Sequence, residues 1–174
     1  MGGSNEDDNI VELTVEEHAQ AHKELFEKYP LIFQVRKGRE LEPFCMFGIE
    51  CGQGWFPLLN VLCYQIQSYI DFRKETNERI EENKKKYPDY DQTPYELIPQ
   101  VTVTQVKEKY GSLRFYYDGG DDVIDGMVRM AEALSANTCE VCGNPGKMRG
   151  RSWYYTACDE HTNEKDKNYE HADD

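Results

Sequence analysis

Apolar residues recur with a helical period in three stretches of the chain. Thr14 and Glu17 form a capping box, and Val15, Ala19, His22, Leu25, Phe26 and Tyr29 then repeat until Tyr29-Pro30 stops the pattern. This predicts a helix over about residues 14–29. A second begins at Pro57, in the position a first helical turn tolerates, with Leu59, Leu62, Cys63, Ile66, Tyr69 and Ile70 on one stripe. Beyond it, only Phe72 and Ile80 are apolar through Lys86, so the first half of this helix packs and the second half projects into solvent. After Asp118-Gly119-Gly120, Asp121 or Asp122 caps a third helix whose face is Ile124, Met127, Val128, Ala131 and Leu134, ending near Asn137.

Between the helices the period shortens. Leu31–Val35 and Phe44–Ile49 are short runs of β-formers and read as two strands or extended segments. Pro88, Pro94 and Pro99 punctuate a tyrosine-bearing loop. From Val101 to Val106 and from Leu113 to Tyr117 residues alternate on either side of Lys107–Ser112, the pattern of a β-hairpin. Alternation puts Lys107 and Lys109 on one side of their strand. It puts Leu113, Phe115 and Tyr117 on one side of the other, so Arg114 and Tyr116 point together, away from Phe115.

The chain has 174 residues, 39% hydrophobic and 12% aromatic, enough to build a core and unlike a disordered acidic chain. No apolar run approaches the roughly 20 residues of a membrane span, and residues 1–10 are polar and acidic rather than a secretion signal. These features predict a soluble protein of the cytoplasm with no membrane partner. With 33 acidic residues against 20 basic ones the net charge is −13. That balance repels phosphate backbones and argues against nucleic acid as a default partner.

Six cysteines are present, Cys45, Cys51, Cys63, Cys139, Cys142 and Cys158, and four metal-type ligands pair up: Cys139-x2-Cys142, then fifteen residues, then Cys158-x2-His161. Two close pairs on two separated turns are the arithmetic of a zinc ribbon, and four protein ligands leave no open position, so the zinc is expected to be structural. Gly143-Asn144-Pro145-Gly146 supplies the knuckle, and Trp153, Tyr154 and Tyr155 the returning strand. Lys147, Arg149 and Arg151 between the pairs serve either solubility or contact with an anion or partner. His18 and His22, one turn apart, read as the edge of an amphipathic helix because no third ligand lies nearby. The fold expected is α+β: three helices on a small antiparallel sheet with a C-terminal zinc ribbon. Its parts are a disordered N-terminus (1–9), an α+β core (10–137), the ribbon (138–162) and a disordered acidic tail (163–174).

Glu50-Cys51-Gly52-Gln53-Gly54-Trp55 stands immediately before the second helix and admits two readings. One is an anion cradle, with glycine amides approaching a ligand at a helix N-terminus; it is not a Walker A sequence. The other is a tight strand-to-helix connection with Trp55 as a core lid. A third use, Cys51 as an acidified nucleophile, lacks a base placed to serve it. On the hairpin, Arg114 beside Tyr116 offers a planar fork for phosphate next to a stacking surface, against the plain reading of a solvated polar face. The candidate ligand set is therefore Glu50, Gly52, Gly54, Trp55, Lys107, Arg114 and Tyr116, and the candidate metal set Cys139, Cys142, Cys158 and His161.

Three blocks, Phe47-Gly48-Ile49-Glu50-Cys51-Gly52-Gln53-Gly54-Trp55-Phe56-Pro57-Leu58, Val106-Lys107-Glu108-Lys109-Tyr110-Gly111-Ser112-Leu113-Arg114-Phe115-Tyr116, and Cys139-x2-Cys142 to Cys158-x2-His161, occur in this order. Together they resemble an uncharacterised family of small proteins carried by bacteriophages and prophages. The resemblance implies residence in a bacterial host cell and an accessory, counter-defence role. Three functions follow as expectations. The first is non-catalytic binding of a small anionic, nucleotide-like molecule, a sponge for a host immune signal. The second is an acidic zinc-ribbon module that binds or inhibits a host protein. The third, an enzyme using Cys51 or Glu50, ranks last because no set of nucleophile, base and oxyanion donors emerges.

Overall fold

In the computed structural model, which describes residues 22–35, 38, 44 and 47–166, the alternating segments around residue 110 form the central hairpin, Thr102–Lys109 (β2) antiparallel to Ser112–Asp118 (β3). The alternation is broken once. Val103 pairs with Tyr117 but Gln105 pairs with Tyr116, so Thr104 is an extra residue in β2. This bulge explains how Val103 and Val106, of opposite parity, are both buried. A two-residue strand, Ile49–Glu50 (β1), joins the other edge of β2 in parallel, with Ile49 opposite Val106 and Glu50 opposite Lys107. The sheet is thus mixed, in the order β1-β2-β3, rather than purely antiparallel.

Three of the helical segments among the described residues correspond to the predicted helices. Residues 22–28 (α1) are the described part of the first predicted helix; residues 14–21, with the capping box and His18, lie outside the described residues, as does Cys45. The second helix, Phe56–Lys86 (α2), starts one residue before Pro57 and buries Leu59, Leu62, Cys63, Ile66 and Ile70 as the periodicity predicts. Its second half does not simply project: Thr76 and Ile80 are buried. Alongside them the proline-rich loop folds back, Asn77 clamping Tyr95 through Nδ2 to the carbonyl and Oδ1 from the amide, each 2.7 Å, with Arg73 over the Tyr95 ring.

Asp121 caps the third helix, Asp122–Ser135 (α3), its carboxylate accepting from the amides of Val123 and Ile124 at 3.1 Å. Ile124, Val128 and Ala131 face the core, but Leu134, expected on that face, is exposed. From α3, Ser135 Oγ accepts from the Leu113 amide (2.8 Å) and Glu132 from the Phe115 amide (3.0 Å), closing the free edge of β3.

Of the two runs read as strands or extended segments, only the end of the second, at Ile49, is strand. Residues 31–35 are turn and irregular chain, although the carbonyl of Ile32 accepts from the Val103 amide at 2.9 Å beside β1, and Ile32 and Phe33 enter the core. Phe44 and Phe47 are helical, leaving only Ile49–Glu50 as strand. Phe33 and Phe44 nonetheless meet Phe26 of α1 with ring centroids 5.0 and 5.4 Å away, while Leu31, Val35 and Phe47 of the same runs are exposed. No helix among the described residues is long and apolar enough to cross a membrane.

Candidate metal centre and ligand face

Lys147–Arg149 (β4) and Tyr155–Ala157 (β5) pair antiparallel and bring two tight turns together at one end. In the first turn the Gly143 amide donates to the Cys139 carbonyl at 2.8 Å, with Gly143 at φ +77, a conformation glycine adopts without strain. In the second the His161 amide donates to the Cys158 carbonyl at 3.2 Å. The ligand atoms of Cys139, Cys142, Cys158 and His161 all lie within 4.8 Å of one another. Cys142 and Cys158 Sγ are 3.7 Å apart, and His161 Nδ1 is 3.7 Å from Cys139 Sγ and 3.2 Å from Cys158 Sγ. A tetrahedral site with metal–sulfur bonds of about 2.3 Å has edges of about 3.8 Å, so the cluster, with its ligand atoms within 4.8 Å of one another, is compatible with a four-coordinate ion. Burial opposes ionisation of Cys139, but the amides of Cys158, Cys142 and Val141 overcome it and draw its thiol down to about 6, favouring the thiolate that a soft metal needs.

The expected returning strand is shorter than predicted: Trp153 and Tyr154 lie in the preceding loop and Trp153 is 79% exposed. Arg149 is buried, its Nε donating to the Ala157 carbonyl and its Nη2 paired with Asp159 between the second pair of ligands. That pairing holds the Asp159 carboxyl below its usual range. Arg149 thus braces the metal turn and is not part of a surface basic patch. At the start of the segment expected as a tail, Tyr155 donates to the Asp166 carboxylate at 3.0 Å and accepts from the Asn163 amide at 3.1 Å.

The glycine-rich turn meets this metal turn directly. Between two cysteine ligands, Glu140 accepts the Gly52 amide on its carboxylate and the Gly54 amide on its carbonyl, both at 2.8 Å. Trp55, fully buried, donates from Nε1 to the Thr138 carbonyl at 2.7 Å. The backbones touch so closely that a Cβ on Gly52 would lie 2.3 Å from the Glu140 oxygen, and one on Gly54 2.3 Å from the Cys139 oxygen. The amides suggested by sequence as an anion cradle are committed to the protein's own acid, and Trp55 is the core lid of the other reading. Burial, then Glu140's charge, pushes the Cys51 thiol well above its ordinary value, opposite to what a nucleophile requires. The Glu140 carboxyl is itself raised by burial, against the Gly52 amide and with Glu108 adding to it. A second staple joins Thr156 Oγ1 to the carbonyl of Gly111 at the hairpin tip.

The remaining candidate ligand residues do come together. Glu50, Lys107 and Arg114 are successive cross-strand neighbours over β1, β2 and β3, on the face opposite buried Ile49, Val106 and Phe115. Lys107 Nζ sits 5.6 Å from the centroid of Tyr116, and Gln105 donates to Glu50 at 3.3 Å. Arg114 Nη1 donates to Ser112 Oγ (2.8 Å) and to the carbonyl of Leu113 (2.7 Å); among the described residues its Nε and Nη2 bond nothing. Lys107 stands between Glu50 and Arg114, which form no ion pair among the described residues. Next to this row, the hairpin tip and the loop before β5 enclose a cleft of about 410 Å³.

Compared with known proteins, the chain matches no family model, no curated protein and no solved structure, so its function is read from these residues alone.

Proposed function

We propose that the protein binds a small anionic, nucleotide-like molecule without transforming it, on the outward face of its three-stranded sheet, and that the Cys/His cluster carries a structural zinc. The row Glu50, Lys107, Arg114 with Tyr116 is the observation that supports binding. Lys107 and a partly free guanidinium on adjacent strands give two cationic donors for one phosphate, and Glu50 is placed to accept from ribose or base N–H and O–H groups. Against catalysis stand the closed ligand set and the buried, protonated Cys51. In a phage setting such binding would sequester a host signal.

The test is to incubate the protein with nucleotides and cyclic nucleotides, follow thermal shifts, and weigh the molecules released on denaturation. A stabilising compound recovered intact supports the reading; an altered product makes the protein an enzyme. A panel without any shift favours the second reading, a protein-interaction module. That reading has its own support in the apolar strip where Leu58 and Val61 of α2 meet Met130 and Leu134 of α3, three of these four being exposed.

A further inference from the structure

We propose that the cleft between the hairpin tip and residues 152–154 holds the aromatic base of the ligand, so that the site takes a molecule of one-nucleotide size with its phosphate at Lys107. This rests on the binding reading above and extends it to residues outside the ligand set expected from the sequence: Lys109, Tyr110, Ser152, Trp153 and Tyr154. The volume of about 410 Å³ is in the range of small-molecule pockets and has room for one nucleotide.

Its chemistry is aromatic and cationic together. Trp153 and Tyr110 are 79% and 67% exposed, large rings left in water beside Lys107 and Lys109, which alternation places on the same side of β2. The carboxylate in the lining, Glu108, is occupied by the Gly111 amide at 2.6 Å. Tyr110 is a further sign. It is the one non-glycine residue with positive φ (54°) among the described residues, in a two-residue turn with Gly111 at 78° where Asn-Gly is the usual pair. A tyrosine kept in so unfavourable a backbone position points to a use for its side chain.

Lys107 belongs to both halves: it lines the cleft and is the cross-strand neighbour of Arg114. A phosphate held there is within reach of Arg114 on one side while a base attached to it stacks against Trp153 or Tyr110 on the other. Stacking is available to every base, so the cleft selects for an aromatic ring next to an anion rather than for one sequence letter.

The zinc-loaded protein is titrated with the four ribonucleoside 5′-monophosphates and with ribose 5-phosphate, by calorimetry and by tryptophan fluorescence. Of the two tryptophans Trp55 is fully buried, so a stacking base reports through Trp153. Expected are quenching by at least one nucleotide, binding of ribose 5-phosphate weaker by about tenfold or more, and a similar loss in Trp153→Ala at an unchanged melting temperature. Lys109→Ala weakens the same nucleotide by severalfold. Nucleotide binding that neither quenches nor responds to Trp153→Ala overturns the cleft and leaves the sheet-face reading standing. Heat from none of the five compounds overturns both.

Discussion

The carboxylate of Glu140, one residue past Cys139 of the Cys/His cluster, accepts the amide of Gly52 at 2.8 Å, and this bond ties the cluster's first turn to the turn leading into α2. With the Gly54 amide on the Glu140 carbonyl and Trp55 on Thr138, three donors from one short turn end on one metal knuckle. The ribbon is consequently fastened to the turn that leads into α2.

Replacing Gly54 by Ala therefore tests the staple. Its Cβ would meet the Cys139 oxygen at 2.3 Å and the Gly143 nitrogen at 2.5 Å, backbone atoms that the metal turn fixes in place. A loss of about 2–4 kcal/mol in chemical denaturation and weaker metal retention are expected. Gly126→Ala is the control: nothing lies within 4 Å of its Cβ, inside α3, so it gains about 0.5–1 kcal/mol. Equal effects of the two substitutions would contradict the close approach.

Arg114→Ala removes a side chain whose bonds among the described residues run to Ser112 and Leu113 on its own strand. Stability should change by less than about 1 kcal/mol while nucleotide binding is lost, and Arg114→Lys should recover only part of it, having no fork. A collapse of the unliganded Arg114→Ala protein would make the residue structural.

Stability should decline at alkaline pH. Burial pushes the Cys63 thiol up to about 12, and burial, then the hydrogen bond to Asp125, holds the Tyr117 phenol above its usual value. The folded state keeps protons that the unfolded chain releases from about pH 9 upward, so this contribution is whole below pH 9 and is lost as pH rises. Urea midpoints should fall between about pH 8 and about pH 10.5, and fall less steeply in Cys63→Ala. Identical slopes in the two proteins would show that Cys63 does not contribute to the alkaline loss.

Period and spacing carried the parts of the structure that depend on neighbours in sequence. The α2 stripe, the Asp121 cap, the hairpin and the two ligand pairs are all of this kind. What escaped depends on partners far along the chain. Thr104 bulges because Val103 and Val106 must both enter the core, and Ile32 and Phe33 turn inward rather than extend because β1 already occupies the β2 edge next to them. Two glycines flanking Gln53 signalled a close approach but not to what; the answer, Glu140, is 88 residues away from Gly52. Arg149 carried a readable sign, the acid Asp159 set between Cys158 and His161, that charge counting alone passed over.

Whether the chain is held by a metal and binds one nucleotide-like ligand without altering it can be measured directly. Native mass spectrometry of the protein, incubated with the nucleotide panel, weighs metal and ligand on the same molecule. The result expected is one zinc per chain, one added ligand of unchanged mass, and loss of both the ligand peak and the compact charge states when the metal is chelated. A compact chain without metal, or a bound mass that corresponds to a product, would contradict it.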